Sequence, residues 1–468
     1  MYHQTSIKWT VVEYVLGSLI LFILATVQAH LLEQDARGSD CKNEISNIVE
    51  ATGKLGADLL KIMSDSNNNG SIFISPISIQ ISLHIIMQGA DNDSETYWEM
   101  EKYFDYDVRI KKRETIHEAM AKLIVSLDLE SRKGRYVYDG ERNTKWWKQP
   151  TKFNIANIFI TEKQIANGLR KDFQNSVNKY YDIVFHTFDR SETNFFSNLF
   201  SKVNHWISSK TEHTIQLGLD SSDLMNSIAI IINAAYLRGE WLYPFCESNT
   251  KQDTFYRNGI KTDNITVPFM SRARFYSYLD LRQSTEKTVQ EIDREKGHLD
   301  YHLDCQVVSL PIDEDGLSML ILLPDKLDGL SKLYNVRVSR IMEQMRHSGD
   351  AKKINFKLPK FSLDVEYNMK HYLRQLGLRR LSYSPELHKM FELSDIDFDC
   401  ITHKAKINVT EMGIGVSAIA GMKIQPASNE ENEKAKPIHF VADHPFMYAV
   451  VHNYKHPVPL FMGQVVTF

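Results

Sequence analysis

Gly413, Gly415 and Ala418 stand at G-x-G-x-x-A spacing in the run GIGVSA, with the strand-like KINVT just before it. Glycines so spaced let backbone amides approach a pyrophosphate at the start of a helix. The sequence denies that helix. Gly421 and Pro426 follow, and too little chain remains for the βαβ units of a dinucleotide domain. No GxSxG, HExxH or P-loop pattern occurs, and nothing places a serine on a strained turn beside a base. Cys41, Cys246, Cys305 and Cys400 lie far apart without a CxxC pair. That excludes the familiar zinc and redox motifs and leaves one disulfide, two or none open. The chain reads as a protein with no cofactor and no metal, and not as an enzyme.

What stands out instead is TEMGIGVSAIAGMKIQPASNEENEK, from Thr410 to Lys434. No charge falls between Met412 and Met422 and most side chains there are small, whereas the chain turns strongly polar after Ser428. An ordinary surface loop is more polar. In a strand, alternate residues share a face. Counted from Ile414, one face holds Ile414, Val416, Ala418 and Ala420, and the other Gly415, Ser417 and Ile419. Such a tract leaves solvent without stranding a charge, and burying one unpaired would cost several kcal/mol.

A hydrophobic fraction of 43% with 24% charged residues suits a globular fold, and a net charge of -4 argues against broad nucleic-acid binding. The N-terminus adds an address. VLGSLILFILATV (Val15 to Val27) has signal-peptide length, VQA (Val27 to Ala29) puts small residues at a cleavage site, and Glu13 interrupts any longer span. Residues 1-29 are expected to be removed and 30-468 secreted to the extracellular space, with no stable membrane association. Sequons at Asn69, Asn92, Asn264 and Asn408 fit a secreted glycoprotein.

The elements that must position the tract follow from periodicity. Apolar residues recur at helical spacing from Glu44 to Ser64, SIFISPISIQISLHIIMQGA begins as a strand and continues as a buried helix, and Val203 to Thr214 reads as a helix. SIAIIINAAYLRGEW is apolar on both faces, hence a central strand of a covered sheet. The second half is mostly strands, INFKLPKFSLDVEY among them, with a helix around Tyr367 to Leu376. Helices and strands mix without regular alternation and no linker divides the chain, so the fold class is α+β in one large domain. SRKGRYVYDGERNTKWWKQPTK (131-152) departs from the pattern as an inserted surface loop. Arg132, Lys133, Arg135, Arg142, Lys145, Lys148 and Lys152 there outnumber Asp139 and Glu141. Such runs are commonly just solvated; the functional reading is an anion site for a sulfated polysaccharide.

Several segments together resemble the serpin family. FISPISIQISL, NAAYLRGEW, LSMLILLP, LPKFSLDVEYNMKHYLRQLGL, HKAKINVTEMG, ADHPFMYAVVHN and PLFMGQVV occur in family order from about Glu44 to Phe468. The resemblance implies three β-sheets, roughly eight or nine helices and an exposed reactive-centre loop near the C-terminus, with hinge and loop at 411-440. It also implies a monomer that inhibits a serine protease as a suicide substrate. Cleavage of the loop forms an acyl-enzyme, and the loop then inserts as a new strand in the main sheet. By the same resemblance Ser75, Ser78, Asn233 and His403 control sheet opening. Trp241, Lys360 and Glu411 form the top of the sheet with a Lys–Glu pair, and Glu411, Gly413, Ile414, Val416, Ala418 and Ala420 form the hinge. Family spacing from Glu411 places the scissile bond at Ala427–Ser428, suiting an elastase-like protease. Spacing counted back from ADHPF points to Lys434–Ala435 and a trypsin-like one. Ile414, Gly415 and Val416 replace the usual Thr or Ser, Glu and Ala of the hinge. Bulk there implies slower insertion, and a non-inhibitory carrier, binding or chaperone-like role is the alternative.

Overall fold

The computed structural model describes residues 39–66, 70–106, 112–127, 129, 134–139, 144–218, 228–282, 303–313, 316–348, 350–392, 398–416, 436–452 and 456–468. The signal-peptide segment 1-29, Asn69, Ala418, Ala420, Ala427, Ser428, Lys434 and Ala435 lie outside the described residues.

A six-stranded sheet carries the hinge. It contains β4 (Lys152–Glu162), β5 (Ile183–Phe188), β6 (Ala229–Glu240), β12 (Phe361–Asn368), β13 (Phe398–Val409) and β14 (Gly413–Ile414), in the order β12-β13-β14-β6-β4-β5. β6 is buried along almost its whole length, as an apolar strand covered on both faces must be. Odd-numbered β6 residues, Ile231, Ala235 and Leu237, join the main core with Ala405, Ile407 and Val409 of β13. Even-numbered ones, Ile230, Ile232, Ala234 and Tyr236, pack in a second layer with Leu199, Val203 and Ile207.

Nine α-helices are present among the described residues: α1 (Ser39–Ser66), α2 (Pro76–Gly89), α3 (Glu95–Phe104), α4 (Arg113–Ser126), α5 (Lys163–Ala166), α6 (Lys171–Tyr181), α7 (Phe195–Lys210), α8 (Val338–Ser348) and α9 (Lys370–Gln375). α2 is buried nearly all round, as its apolar composition requires, with Pro76 in its first turn. α7 begins eight residues before the helix expected from Val203 and covers the outer face of the six-stranded sheet.

A nine-stranded sheet runs β1 (Ile72–Ile74), β17 (Val458–Val465), β16 (Phe446–His452), β10 (Leu317–Pro324), β9 (Cys305–Pro311), β8 (Asn264–Asp280), β11 (Ala351–Pro359) and β15 (Ile438–Val441), with β7 (Lys251–Tyr256) paired to β8. INFKLPKFSLDVEY, one run in the sequence, divides at Lys360 between β11 of this sheet and β12 of the other. Pro359, lacking an N–H, ends the first strand. The third sheet is a hairpin of β2 (Arg135–Asp139) and β3 (Thr144–Lys148), so the inserted loop is an ordered ribbon over those residues.

Candidate functional site

The hinge lies at a seam in the six-stranded sheet. β6 and β13 pair in parallel from Phe398↔Ala229 to Ala405↔Ala235. Above that, β14 sits between them, antiparallel to both, with Val409↔Ile414, Gly413↔Glu240 and Ile414↔Gly239. The Gly415 N–H donates to the carbonyl of Asn408 at 2.8 Å. Ile414 and Val416 are buried, so the first hinge residues already occupy a strand position. The GIGVSA run thus opens a strand at Gly413.

Two glycines permit this close approach. A Cβ on Gly413 would lie 2.1 Å from the carbonyl oxygen of Gly239, and one on Gly415 2.4 Å from that of Leu237. Gly415 also has φ +67°, a conformation disfavoured for residues with a side chain.

The hinge is anchored at the top of the sheet. Glu411 Oε2 lies 2.9 Å from Lys360 Nζ, and its Oε1 accepts a hydrogen bond from Thr250 Oγ1 at 2.8 Å. Burial pushes the Glu411 carboxyl up, but the hydrogen bonds from Lys360 and Thr250 outweigh it and hold the group below its usual range. The indole N–H of Trp241, a fully buried ring, donates to the carbonyl of Thr410 at 2.8 Å, and its backbone N–H donates to Met412.

Lower in the seam, His403 of β13 stands opposite Asn233 of β6. Ser75 N–H donates to His403 Nε2 at 3.1 Å, which assigns the ring proton to Nδ1 for donation to Asn233 Oδ1 at 3.0 Å. Asn233 Nδ2 donates to Asn157 Oδ1 of β4 at 2.7 Å. Ser75 Oγ donates to Leu460 at 2.8 Å, and Ser78 Oγ donates to Ser75 O at 3.0 Å. One buried chain therefore joins β17, the start of α2, β13, β6 and β4. Burial pushes the His403 imidazole down to about 3, so the ring is neutral at physiological pH. Asn157 and Thr250 were not singled out in the sequence: Asn157 sits in an alternating strand and Thr250 in a connection, and neither pattern announces a partner.

The insert meets this site just before β4. Gln149 N–H donates at 3.1 Å to Oε2 of Glu240, the residue that faces Gly413 in the sheet. Lys148 is buried, and that burial lowers its pKa against the pull of Glu240 and Asp313. Of the sequons, Asn92 and Asn264 are exposed, while Asn408 is half-buried within β13.

A family model described as Serpin (serine protease inhibitor) matches residues 50–468. The chain belongs to the serpin family. This serpin is 24% identical over 447 residues to Iripin-8 of Ixodes ricinus, covering 95% of this chain and 98% of that one. It is 26% identical over 425 residues to the leukocyte elastase inhibitor of Sus scrofa, covering 89% and 98%. Among solved structures, human thyroxine-binding globulin superposes with a TM-score of 0.70 at 18% identity, covering 91% and 99%. Serpin48 of the insect Tenebrio molitor does so at 0.67 and 21%, covering 89% and 97%. Its relatives thus include a protein named as an elastase inhibitor, and its fold is shared by a thyroxine-binding globulin.

Proposed function

We propose that this serpin is a secreted suicide-substrate inhibitor of a serine endopeptidase. The observation that carries the reading is the register of β14. Ile414 faces Gly239 of β6 and Val409 of β13. Continued residue for residue down the seam, that register brings Ile424 opposite Ala229, where β6 begins. The charge-free tract ends at Met422, so its length matches the seam. Ile414, Val416, Ala418, Ala420, Met422 and Ile424 would share the face on which Ile414 joins the main core, and Lys423 would fall on the other.

In this reading the protease serine attacks the carbonyl of Ala427, an acyl bond forms, and the peptide bond to Ser428 breaks with a proton passing to the new amino terminus. Insertion to Ile424 leaves three residues, about 10 Å, between sheet and acyl bond. A cut at Lys434 would leave ten residues, roughly 33 Å, too slack a tether to deform the enzyme. The seam length therefore favours Ala427–Ser428 and a protease with a small apolar pocket. The sequons at exposed Asn92 and Asn264 fit a secreted chain.

The second reading is a non-inhibitory carrier, favoured by the departure of Ile414, Gly415 and Val416 from the Thr or Ser, Glu and Ala usual in the family hinge. Cleaving the loop and measuring thermal unfolding tests the first reading. A large rise in melting temperature supports strand addition, and no rise refutes it. A sulfated polysaccharide on the basic insert is tested by retention on heparin at physiological salt.

A further inference from the structure

Tyr136, Tyr138 and Trp147 are 63%, 60% and 45% exposed, and all three belong to the β2–β3 hairpin. The register Tyr136↔Trp147 and Tyr138↔Lys145 places these rings and Lys145 on one face. Tyr136 and Trp147 meet edge-on with centroids 5.1 Å apart, and Lys145 Nζ lies 4.6 Å over the Tyr136 ring. The opposite face carries Val137 and Lys148, both buried. The outer face is thus an aromatic platform with a single ammonium among its four side chains. The rings of Tyr136 and Trp147 hold one another in place, and tyrosine and tryptophan are the residue types that anchor protein interfaces.

Its position is equally specific. β3 leads into Gln149, which bonds Glu240, the strand partner of Gly413. The platform therefore stands at the end of the molecule from which the loop departs. The excess of basic residues in segment 131-152 selects an acidic partner. A polyanion would need cations across the platform, but rings occupy it and Lys148 is sunk on the other side.

We propose that Tyr136, Tyr138, Trp147 and Lys145 form a second docking surface for the protease that the loop engages, receiving an acidic patch with apolar side chains. This rests on the inhibitory reading above.

The test compares wild type, a Tyr136→Ala/Trp147→Ala double variant and Lys145→Glu. Second-order rates of covalent complex formation are measured with pancreatic elastase and with trypsin. The same variants are titrated with each protease carrying alanine for its catalytic serine. The double variant should lose about tenfold in rate, with melting temperature and stoichiometry of inhibition unchanged. Lys145→Glu should slow association and weaken its salt dependence. Unchanged rates, with covalent complex forming normally, overturn the docking surface. So does a loss confined to heparin retention or heparin-dependent rate, which assigns the face to a polysaccharide. If wild type forms no covalent complex but binds the alanine proteases, and the double variant does not, the docking surface stands and the inhibitory reading falls. If wild type neither reacts nor binds, both fall.

Discussion

Replacing His403 with alanine removes a side chain that joins the two strands of the seam and also holds the start of α2. In the closed sheet the change leaves the Ser75 N–H and Asn233 Oδ1 without partners, both fully buried. Each orphaned group costs about 1–3 kcal/mol. Once a strand lies between β6 and β13, position 403 no longer faces Asn233, so only the Ser75 loss persists. The substitution should therefore favour the inserted state by about 1–3 kcal/mol, the share belonging to Asn233. Read as a rate, that is about fivefold to 150-fold. The assay is annealing of a synthetic peptide spanning Met412 to Ile424 into the intact protein, followed by native electrophoresis. The expected result is annealing at least about fivefold faster in His403→Ala, with the intact protein losing more stability than the loop-cleaved one. An unchanged annealing rate in a variant with native circular dichroism would refute the reasoning. Equal destabilisation of intact and cleaved forms would refute it too.

Acid should weaken the fold. His84, His117 and His403 are buried and neutral, with His84 and His403 pushed down to about 3 and His117 also well below its usual value, in each case first by burial. Their folded pKa values lie below the unfolded value near 6.5. The stability they contribute is therefore present above pH 6.5 and is lost progressively as pH falls toward about 3. The unfolded chain binds up to three more protons there, a slope of about 4 kcal/mol per pH unit. Melts at pH 7.5 and 5.0 check this, and a flat profile contradicts it. Gly415→Ala should drive the hinge from the sheet, because its Cβ would strike the Leu237 carbonyl at a positive φ. A shift in the fluorescence band of Trp241, which bonds Thr410, reports it; a spectrum identical to wild type would mean the hinge stayed. Lys360→Met removes the cation paired with Glu411, whose side chain is only 7% exposed. A loss of about 2–4 kcal/mol in urea unfolding is expected at pH 7, shrinking as pH falls and Glu411 protonates; a loss unchanged at low pH argues against the pair.

The charge-free tract was legible by itself, because it sits in a polar neighbourhood. Ser75, Ser78, Asn233 and His403 were legible only through the family resemblance, since His403 lies in a strand that also carries Asp399, Lys404 and Lys406. The spacing of Gly413 and Gly415 raised a phosphate turn that the following residues rejected, and Gly413 entered the hinge by the family resemblance; only the paired strands reveal what a Cβ at either would strike. The hairpin read as a loop because its charges hide the alternation of Tyr136, Val137 and Tyr138. β8, the longest strand, went unlisted among the expected strands because its arginines, serines and tyrosines give no clean apolar face. The break at Lys360 is marked in the sequence and was passed over: the apolar set moves from Ile354, Phe356 and Leu358 to Phe361, Leu363 and Val365, a change from even to odd positions across Pro359, and the two strands enter different sheets.

The central claim is that cleavage of the loop traps a protease by strand insertion. The mature protein mixed with an elastase-like protease, run on a denaturing gel with intact-mass analysis, addresses it directly. The account predicts an SDS-stable covalent complex and a released C-terminal fragment beginning at Ser428. Clean cleavage at that bond with free, active protease would contradict it.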